Sequence, residues 1–268
     1  MRSRAASLVW GRSWSSVLTA IVVPAIVLLS WEASVRMGLL PRTLIAAPSE
    51  VVTRFVAMVS DGTLGHHCLV SLRRLILGFG IGISLGVAFG ALVGTDRLFS
   101  RLLEPTILTL IPVPPIAWIP LLIIFFGIGE TSKVLLIAVG SFCTLFIHTA
   151  YAVRSTDSHL VELAHVLGKP SREIAVRVLL PSSVPAILAA SRVALALSWT
   201  LLICAEVIAS SSGLGWLIWD ARNFSRPDDM LVGMVTVAGL GKATDAGLEL
   251  LERRLTVWRR SYRDLVHV

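Results

Sequence analysis

Long apolar stretches separated by short polar segments dominate the chain. Six of these stretches are long enough and poor enough in charge to cross a bilayer, which takes about 20 helical residues. The sixth is the weakest, because Lys242, Asp245 and Glu249 follow its apolar first half. The pattern therefore predicts an all-α polytopic membrane protein with about six transmembrane helices, near residues 14–31, 75–94, 107–128, 134–153, 185–209 and 230–251.

The first apolar stretch could be mistaken for a cleaved signal peptide. It runs for 18 residues from Trp14 to Trp31, or about 27 Å as a helix, with a tryptophan at each end as is usual at membrane interfaces. No small-residue cleavage site follows it before the next polar segment. We therefore expect a retained first span, preceded by a short cytoplasmic N-terminus at residues 1–13.

Composition and charge agree with a membrane protein and predict its orientation. Of 268 residues, 55% are apolar and 15% are charged, which is too little charge to cover a soluble domain. A net charge of +7 would suggest nucleic acid in a soluble protein, but here the cations flank apolar stretches, so no nucleic-acid partner is expected. Of 24 Lys and Arg residues, 14 fall on one side of six spans, eight on the other and two, Arg192 and Lys242, within spans. Both termini are therefore predicted to be cytoplasmic.

Glycine recurs at every fourth position of the second stretch. Glycines at this spacing make a flat groove along one helix face, against which another helix backbone can pack closely in lipid. We predict tight helix packing here rather than contact with a solute, at Gly78, Gly82, Gly86, Gly90 and Gly94.

The third stretch is interrupted by prolines. Each proline removes a backbone donor, and lipid cannot satisfy the carbonyls that are freed, so this broken helix must pack on protein or line a wet cavity. Broken helices often mark the solute path in transporters. A kinked packing helix and a solute-lining segment both stay open here, and the candidate pathway residues are Pro115, Trp118 and Pro120.

Two charged residues lie within the fifth stretch, where burying charge in lipid is costly. Glu206 lies near the outer end and could gate the outer mouth or pair with a cation there. It is the fourth candidate pathway residue. Arg192 lies nearer the cytoplasmic end, where its long side chain could reach the membrane interface or touch the solute.

A polar, basic segment at residues 154–183 separates the fourth and fifth stretches. The pattern predicts two short helices, the first ending at Gly168, which can adopt positive φ. Pro170 suits the first turn of the second helix, which Pro181 is predicted to end, and Pro185 opens the fifth span. On the predicted topology this is a rigid cytoplasmic hairpin, typical of a surface that docks a partner.

This hairpin resembles the EAA loop of bacterial ABC importer permeases, written EAAxxxGx(9)IxLP. The chain reads ELAHVLG, then nine residues, then VLLP. It departs from the motif at Leu163 and Val178, where the motif prefers alanine and isoleucine. The remaining motif positions are occupied by Glu162, Ala164, Gly168, Leu180 and Pro181.

Four further stretches extend the resemblance to permeases of the nitrate/sulfonate/taurine importer group. They are IAAPSEVV, HCLVSLRRLILGFGIGISLG, PVPPIAWIPLLIIFFGIGETSK and EVIASSSGLGWLIWDARNF. The resemblance implies a single permease domain over residues 14–268, including the coupling loop 154–183, that moves a small anionic solute across a bacterial inner membrane. The implied ATPase-coupling residues are Glu162, Ala164, His165, Gly168, Arg172 and Pro181.

The resemblance also implies the partners. They are two cytoplasmic ATP-binding subunits, a second copy of the permease, an extracytoplasmic solute-binding protein and the membrane lipid. Residues 210–228, with Arg222 and Arg226, would face the delivered solute and suit an anion. The cargo could be an aliphatic sulfonate, taurine or nitrate, or a larger organic precursor such as a pyrimidine.

Two other functional classes require residue patterns of their own. An intramembrane enzyme needs clustered acid/base, nucleophilic or metal-binding residues, and the sequence shows none, so no catalytic residue, metal or cofactor is predicted. The stretch TVAGLGKAT at 236–244 lacks the first glycine of a phosphate-binding loop, so ATP hydrolysis is assigned to a partner chain.

A secondary transporter driven by an ion gradient would show more buried acids and an internal repeat.

Overall fold

The computed structural model describes residues 14–41 and 43–256, which form helices joined by loops and contain no strand. The predicted N-terminal segment 1–13 and the last arginines of the chain lie outside the described residues. The helices are α1 Trp14–Arg36, α2 Pro48–Ser60, α3 Thr63–Thr95, α4 Arg97–Leu110, α5 Ile119–Phe126, α6 Glu130–Arg154, α7 Ser158–Val166, α8 Ser171–Ile174, α9 Leu180–Ala209, α10 Leu214–Asn223 and α11 Pro227–Leu255.

Within the described residues, fewer helices meet the length and apolarity of a span than the six predicted. Three do so, namely α3, α6 and the continuous segment Ser171–Ala209, and α4 with α5 makes a fourth if this pair, bent by 88°, is one span. Helix α1 extends over the predicted first span and exposes most of its apolar side chains from Val22 to Leu29. Helix α11 falls short because charged residues interrupt its apolar run from Lys242 onward.

The glycine stripe packs α3 directly against α6. A Cβ atom built on Gly82 would lie 2.5 Å from the Cβ of Ser141 and 2.6 Å from the carbonyl oxygen of Ala138. This confirms the predicted close packing, because only glycine leaves room for the α6 backbone at this distance. The other members of the stripe make equally close approaches to α6, at Gly78, Gly86, Gly90 and Gly94.

The second arm of the predicted hairpin does not end at Pro181, which corrects the sequence interpretation. Helix α8 passes through a π-helical turn, Ala175–Leu179, into α9, so Ser171–Ala209 is one continuous 39-residue helical segment. The amide of Leu180 donates to the carbonyl of Ala175 across the widened turn. Proline is tolerated in the first turn of α9 because the π turn has already interrupted the regular i→i−4 bonds there.

The main core lies where α3, α6, α9, α10 and α11 meet. Its fully buried members include Leu136, Leu202, Leu214 and Val232. Helix α6 runs from Glu130 to Arg154, about 37 Å at the helical rise, and so connects two ends of the bundle. We call the end that carries residues 154–183 the hairpin end, and the end at Glu130 the far end.

Candidate functional site

The first arm of the hairpin is a well-capped helix. The Asp157 carboxylate accepts a hydrogen bond from the amide of His159 at 2.9 Å at the start of α7. After the helix, Gly168 adopts φ +73°, and the amide of Lys169 donates to the carbonyl of Ala164 at 3.1 Å. This closure satisfies carbonyls at the helix end and requires the left-handed conformation that glycine adopts without strain.

The coupling residues named from the sequence separate into an inner and an outer set. Ala164 is buried, so the backbone of α7 lies close to the second arm. The other five residues are exposed, and they are Glu162, His165, Gly168, Arg172 and Pro181. Apolar side chains of the same arm also lie on the surface, with exposed fractions of 57% for Leu163, 84% for Val166 and 67% for Leu167.

The interrupted third stretch bends sharply at its prolines. A 3₁₀ turn, Pro115–Trp118, separates α4 from α5, and the two helices differ in direction by 88°. Trp118 is half-buried against the main core, whereas Pro120 is exposed. The three candidate pathway residues of this stretch therefore lie together at one bend, and their contact with a solute stays a prediction.

The fourth candidate, Glu206, is completely buried near the far end. Its Oε1 atom accepts hydrogen bonds from the Ser71 hydroxyl at 2.7 Å and from Nη1 of Arg74 at 2.8 Å. Its Oε2 atom accepts from the amide of Gly215 at 2.8 Å, in the first turn of α10. Glu206 is thus paired with a cation, and a role in the solute path stays a prediction.

Arg74 connects this carboxylate to a second one. Its Nε and Nη2 atoms donate to the two oxygens of Glu130 at 2.7 and 2.6 Å. Lys133 donates to Oε1 of Glu130 and to the hydroxyl of Ser210, both at 3.2 Å. We call Ser71, Arg74, Glu130, Lys133 and Glu206 the Arg74 cluster.

Sequence reasoning missed Arg74 and Glu130 as site residues. It placed Arg74 in a polar segment one residue before the second span, whereas α3 begins at Thr63 and carries this arginine in its interior. An arginine with 2% exposure needs an acidic partner. The available signal was the presence of Glu206 in another apolar stretch, but nothing local indicated that the two would meet.

Arg192 pairs with α11. Its Nε and Nη2 atoms donate to the carboxylate of Asp245 at 2.8 and 3.0 Å, and Glu249 lies 3.4 Å from Nη2. The reach of this side chain to the membrane interface or to the solute stays a prediction. Beside this pair, Leu195, Trp199 and other side chains of α9 and α11 line a cavity of about 260 Å³. The charges of α11 are thus matched by a cation on its neighbour.

The two arginines expected to face a delivered anion lie in different surroundings. Arg226 pairs with Asp220 at 2.5 Å and with Asp229 at 3.0 Å, so its charge is matched within the chain. Arg222 is exposed, with its guanidinium 5.0 Å from the centre of the Trp219 ring. Asp229 also accepts a hydrogen bond from Arg54 of α2, which raises the pKa of that guanidinium.

No group of three His, Cys, Asp or Glu side chains in residues 14–41 and 43–256 is placed to hold a metal ion. The arrangement offers two features instead. At the hairpin end an exposed helix presents apolar and charged side chains, and at the far end buried cations meet a carboxylate at the surface.

Comparison with known proteins places the chain in a family. Residues 80–257 match the family described as the binding-protein-dependent transport system inner membrane component. The chain is 36% identical over 252 residues to a Bacillus subtilis protein named as the aliphatic sulfonates transport permease SsuC, covering 94% of this chain and 91% of that protein. It is 32% identical to the Escherichia coli taurine transport system permease protein TauC, covering 90% of each.

A solved structure shares the fold. The chain superposes on one chain of the MetNI methionine ABC transporter in an inward-facing conformation, with a TM-score of 0.60 and 18% sequence identity. The match covers 70% of this chain and 94% of that one. At this identity the likeness supports the helical architecture.

Proposed function

The chain belongs to the family of inner membrane components of binding-protein-dependent transport systems, and from that membership we propose its cargo, partners and coupling site. It is a permease subunit of an ATP-binding-cassette importer. Its cargo is a small oxyanion of the aliphatic sulfonate, taurine or nitrate class. The similarity to sulfonate and taurine permeases over at least 90% of the chain is the observation that carries this assignment.

Coupling to ATP takes place at α7. Leu163 and Val166 of α7, with Leu167 directly after it, give this arm an exposed apolar surface, and Glu162 and His165 add polar contacts beside them. A short amphipathic helix of this kind fits a groove on a partner protein. The partner is the ATP-binding subunit, which hydrolyses ATP, so the permease itself is not catalytic.

Movement of α7 reaches the bundle through the second arm. Because Ser171–Ala209 is one helical segment of 39 residues, about 58 Å long, a displacement at the hairpin end is carried to Glu206 at the far end. The π turn at Ala175–Leu179 keeps the hairpin arm and α9 continuous through the Leu180 to Ala175 hydrogen bond. Rigid elements with two positions are the usual means by which a distant nucleotide biases a transport step.

The complete importer contains two copies of this permease, two ATP-binding subunits and a solute-binding protein on the outer side. The solute path lies between the two permeases, lined at the bend by Pro115, Trp118 and Pro120. Both termini and the hairpin face the cytoplasm, as the excess of Lys and Arg on that side indicates. The far end therefore faces the binding protein.

Reconstitution tests this function directly. The permease is co-purified with the ATP-binding subunits encoded beside it, placed in liposomes, and supplied with the neighbouring binding protein and labelled taurine or ethanesulfonate. ATP-dependent uptake is expected, and it should disappear when the ATP-binding subunits are omitted. Uptake driven by an ion gradient without ATP, or uptake of a pyrimidine with no uptake of either sulfonate, would overturn the proposal.

A further inference from the structure

The guanidinium of Arg74 faces two carboxylates that differ in access to solvent. Nη1 bonds Glu206, which has no exposed surface, while Nε and Nη2 bond Glu130, whose side chain is 60% exposed. We propose that Arg74 and Lys133 form an oxyanion-binding site for the cargo at the far end, and that Glu130 occupies this site as an internal substitute. This inference rests on the proposed oxyanion cargo.

The geometry of the site suits an oxyanion. Two parallel N–H bonds from Arg74 to the two oxygens of Glu130 are the arrangement that a planar guanidinium makes with any O–X–O group. A sulfonate or nitrate presents the same pair of oxygens. The ammonium of Lys133, 3.2 Å from Oε1 of Glu130, would bond one of them as well.

Burial decides which carboxylate can be exchanged. The side chains of Arg74 and Lys133 are 2% and 7% exposed, so both cations are fixed by the surrounding helices. Glu206 is held in addition by Ser71 and by the amide of Gly215, and cannot leave. Of the two carboxylates, only Glu130 reaches the surface, so Glu130 is the one that an arriving anion can displace.

Charge balance favours the same exchange. Two cations and two carboxylates make the occupied cluster neutral, and removing one carboxylate without replacement would leave a buried cation unpaired at a high cost. A monovalent oxyanion that takes the position of Glu130 restores neutrality. A solute without an anionic group cannot do so, which makes the site selective for solutes that carry a sulfonate or similar oxyanion group.

The position of the cluster places it beside the bend in the third stretch. Glu130 is the first residue of α6 and follows α5 after a loop in which Gly127 adopts φ +76°. Lys133 lines a narrow gap together with Ile119 and Ile123 of α5. An anion bound at the cluster would therefore lie next to the segment that carries Trp118.

The bundle contains a matched pair that serves as a control. At the hairpin end, Nη1 and Nη2 of Arg154 donate to the two oxygens of Glu104 at 2.7 and 2.6 Å, so this pair is also bidentate, although Arg74 uses Nε and Nη2. The side chain of this arginine is 41% exposed, and the remaining bonds of its Nη2 go to the carbonyl of Val93 and the hydroxyl of Ser100. Removing the charge of Glu104 leaves an exposed cation rather than a buried one.

The experiment measures anion binding to the permease with its ATP-binding subunits in lipid nanodiscs, without the binding protein. The probe is sodium ethanesulfonate, compared with sodium chloride at equal ionic strength, and the readout is the shift of the melting temperature with concentration. Glu130→Gln should bind ethanesulfonate at least tenfold more tightly than the natural protein, because no carboxylate competes. Lys133→Gln should bind ethanesulfonate about tenfold more weakly. The affinity of Glu104→Gln for ethanesulfonate should equal that of the natural protein.

Each result decides the inference separately from the proposed function. An unchanged affinity in Glu130→Gln, or an equal gain in Glu104→Gln, would overturn the anion site even if the natural complex takes up sulfonate. If Glu130→Gln does not assemble, Lys133→Gln carries the test, and an unchanged affinity there would also overturn it. A tighter Glu130→Gln in a complex that transports no sulfonate would support the site and refute the cargo.

Discussion

Arg74 of α3 and Glu206 of α9 form an ion pair in the interior of the bundle, with Nη1 2.8 Å from Oε1. Nη1 of Arg74 also donates to the carbonyl of Ser212 at 2.7 Å. The pair thus fixes the loop between α9 and α10 against α3 at the far end. Buried pairs of this kind contribute less to net stability than to a unique geometry, but the loss of one partner is costly.

Neutralising the buried acid should destabilise the protein. In Glu206→Gln, Arg74 keeps its bonds to Glu130 and Ser212, but one of its two carboxylate partners becomes a neutral amide. The amide nitrogen cannot accept the hydrogen bonds that reach one end of the carboxylate, from Ser71 and Arg74 or from Gly215, so a buried donor is left unsatisfied at a cost on the order of 1–3 kcal/mol. We expect a clear fall in the melting temperature of the purified permease. Lys242→Gln, which removes a charge that is 76% exposed, should leave the melting temperature nearly unchanged. Equal effects of the two variants would contradict the importance of the pair.

The loop before α10 should not tolerate a side chain at Gly213. This residue adopts φ +115°, and a Cβ atom there would lie 2.3 Å from Oε1 of Glu206. Gly213→Ala therefore combines backbone strain of about 1–3 kcal/mol with a clash against a carboxylate that cannot move. The melting temperature should fall strongly.

Gly239→Ala is the matched control for this substitution. Gly239 lies within α11, and a Cβ atom built there meets nothing within 4 Å. Alanine should stabilise the helix by roughly 0.5–1 kcal/mol. A Gly213→Ala protein that melts at the same temperature as Gly239→Ala would show that the loop is free to rearrange.

Substitution of Gly168 should separate ATP hydrolysis from uptake. Its φ of +73° sets the turn between α7 and α8, and a Cβ atom there has open space around it, so Gly168→Val acts through the backbone alone. We expect reconstituted complexes that still hydrolyse ATP but take up at least tenfold less solute. Gly168→Asn should retain uptake, because asparagine tolerates the left-handed region.

A second left-handed glycine controls for general strain. Gly62 adopts φ +80° before α3, again with nothing within 4 Å of a built Cβ atom. Gly62→Val imposes comparable backbone strain outside the hairpin, and its uptake should remain in proportion to its ATP hydrolysis. Uncoupling in Gly62→Val, or normal uptake in Gly168→Val, would argue against a specific role of the hairpin turn.

A charge on the surface of α7 should weaken the attachment of the ATP-binding subunit. Val166 is 84% exposed, so Val166→Asp leaves the folded permease intact but adds a charge to the proposed docking face. The fraction of ATP-binding subunit that co-purifies should fall about tenfold. Val52→Asp on α2, where the valine is 63% exposed, should change nothing, and equal co-purification of both variants would remove α7 from the interface.

The sequence predicted those parts of the protein that depend on neighbouring residues along the chain. Apolar length predicted the spans of α3, α6 and α9 but also two further spans, over α1 and α11, that do not meet the length and apolarity of a span within the described residues. The glycine spacing predicted the contact of α3 with α6, and Gly168 predicted the turn of the hairpin. The prediction that Pro181 ends a helix is wrong, because proline breaks a regular helix and the sequence carries no sign of the π turn that precedes it.

Only the tertiary structure decided which charges meet. Arg74 pairs with Glu130, at a separation of 56 residues along the chain, and with Glu206, at a separation of 132 residues. Arg192 pairs with Asp245 at a separation of 53 residues. Local pattern determines where helices begin and end because backbone bonds connect near neighbours. The choice of ionic partners depends on how helices pack, since a buried charge must be matched by whichever residue the fold brings next to it.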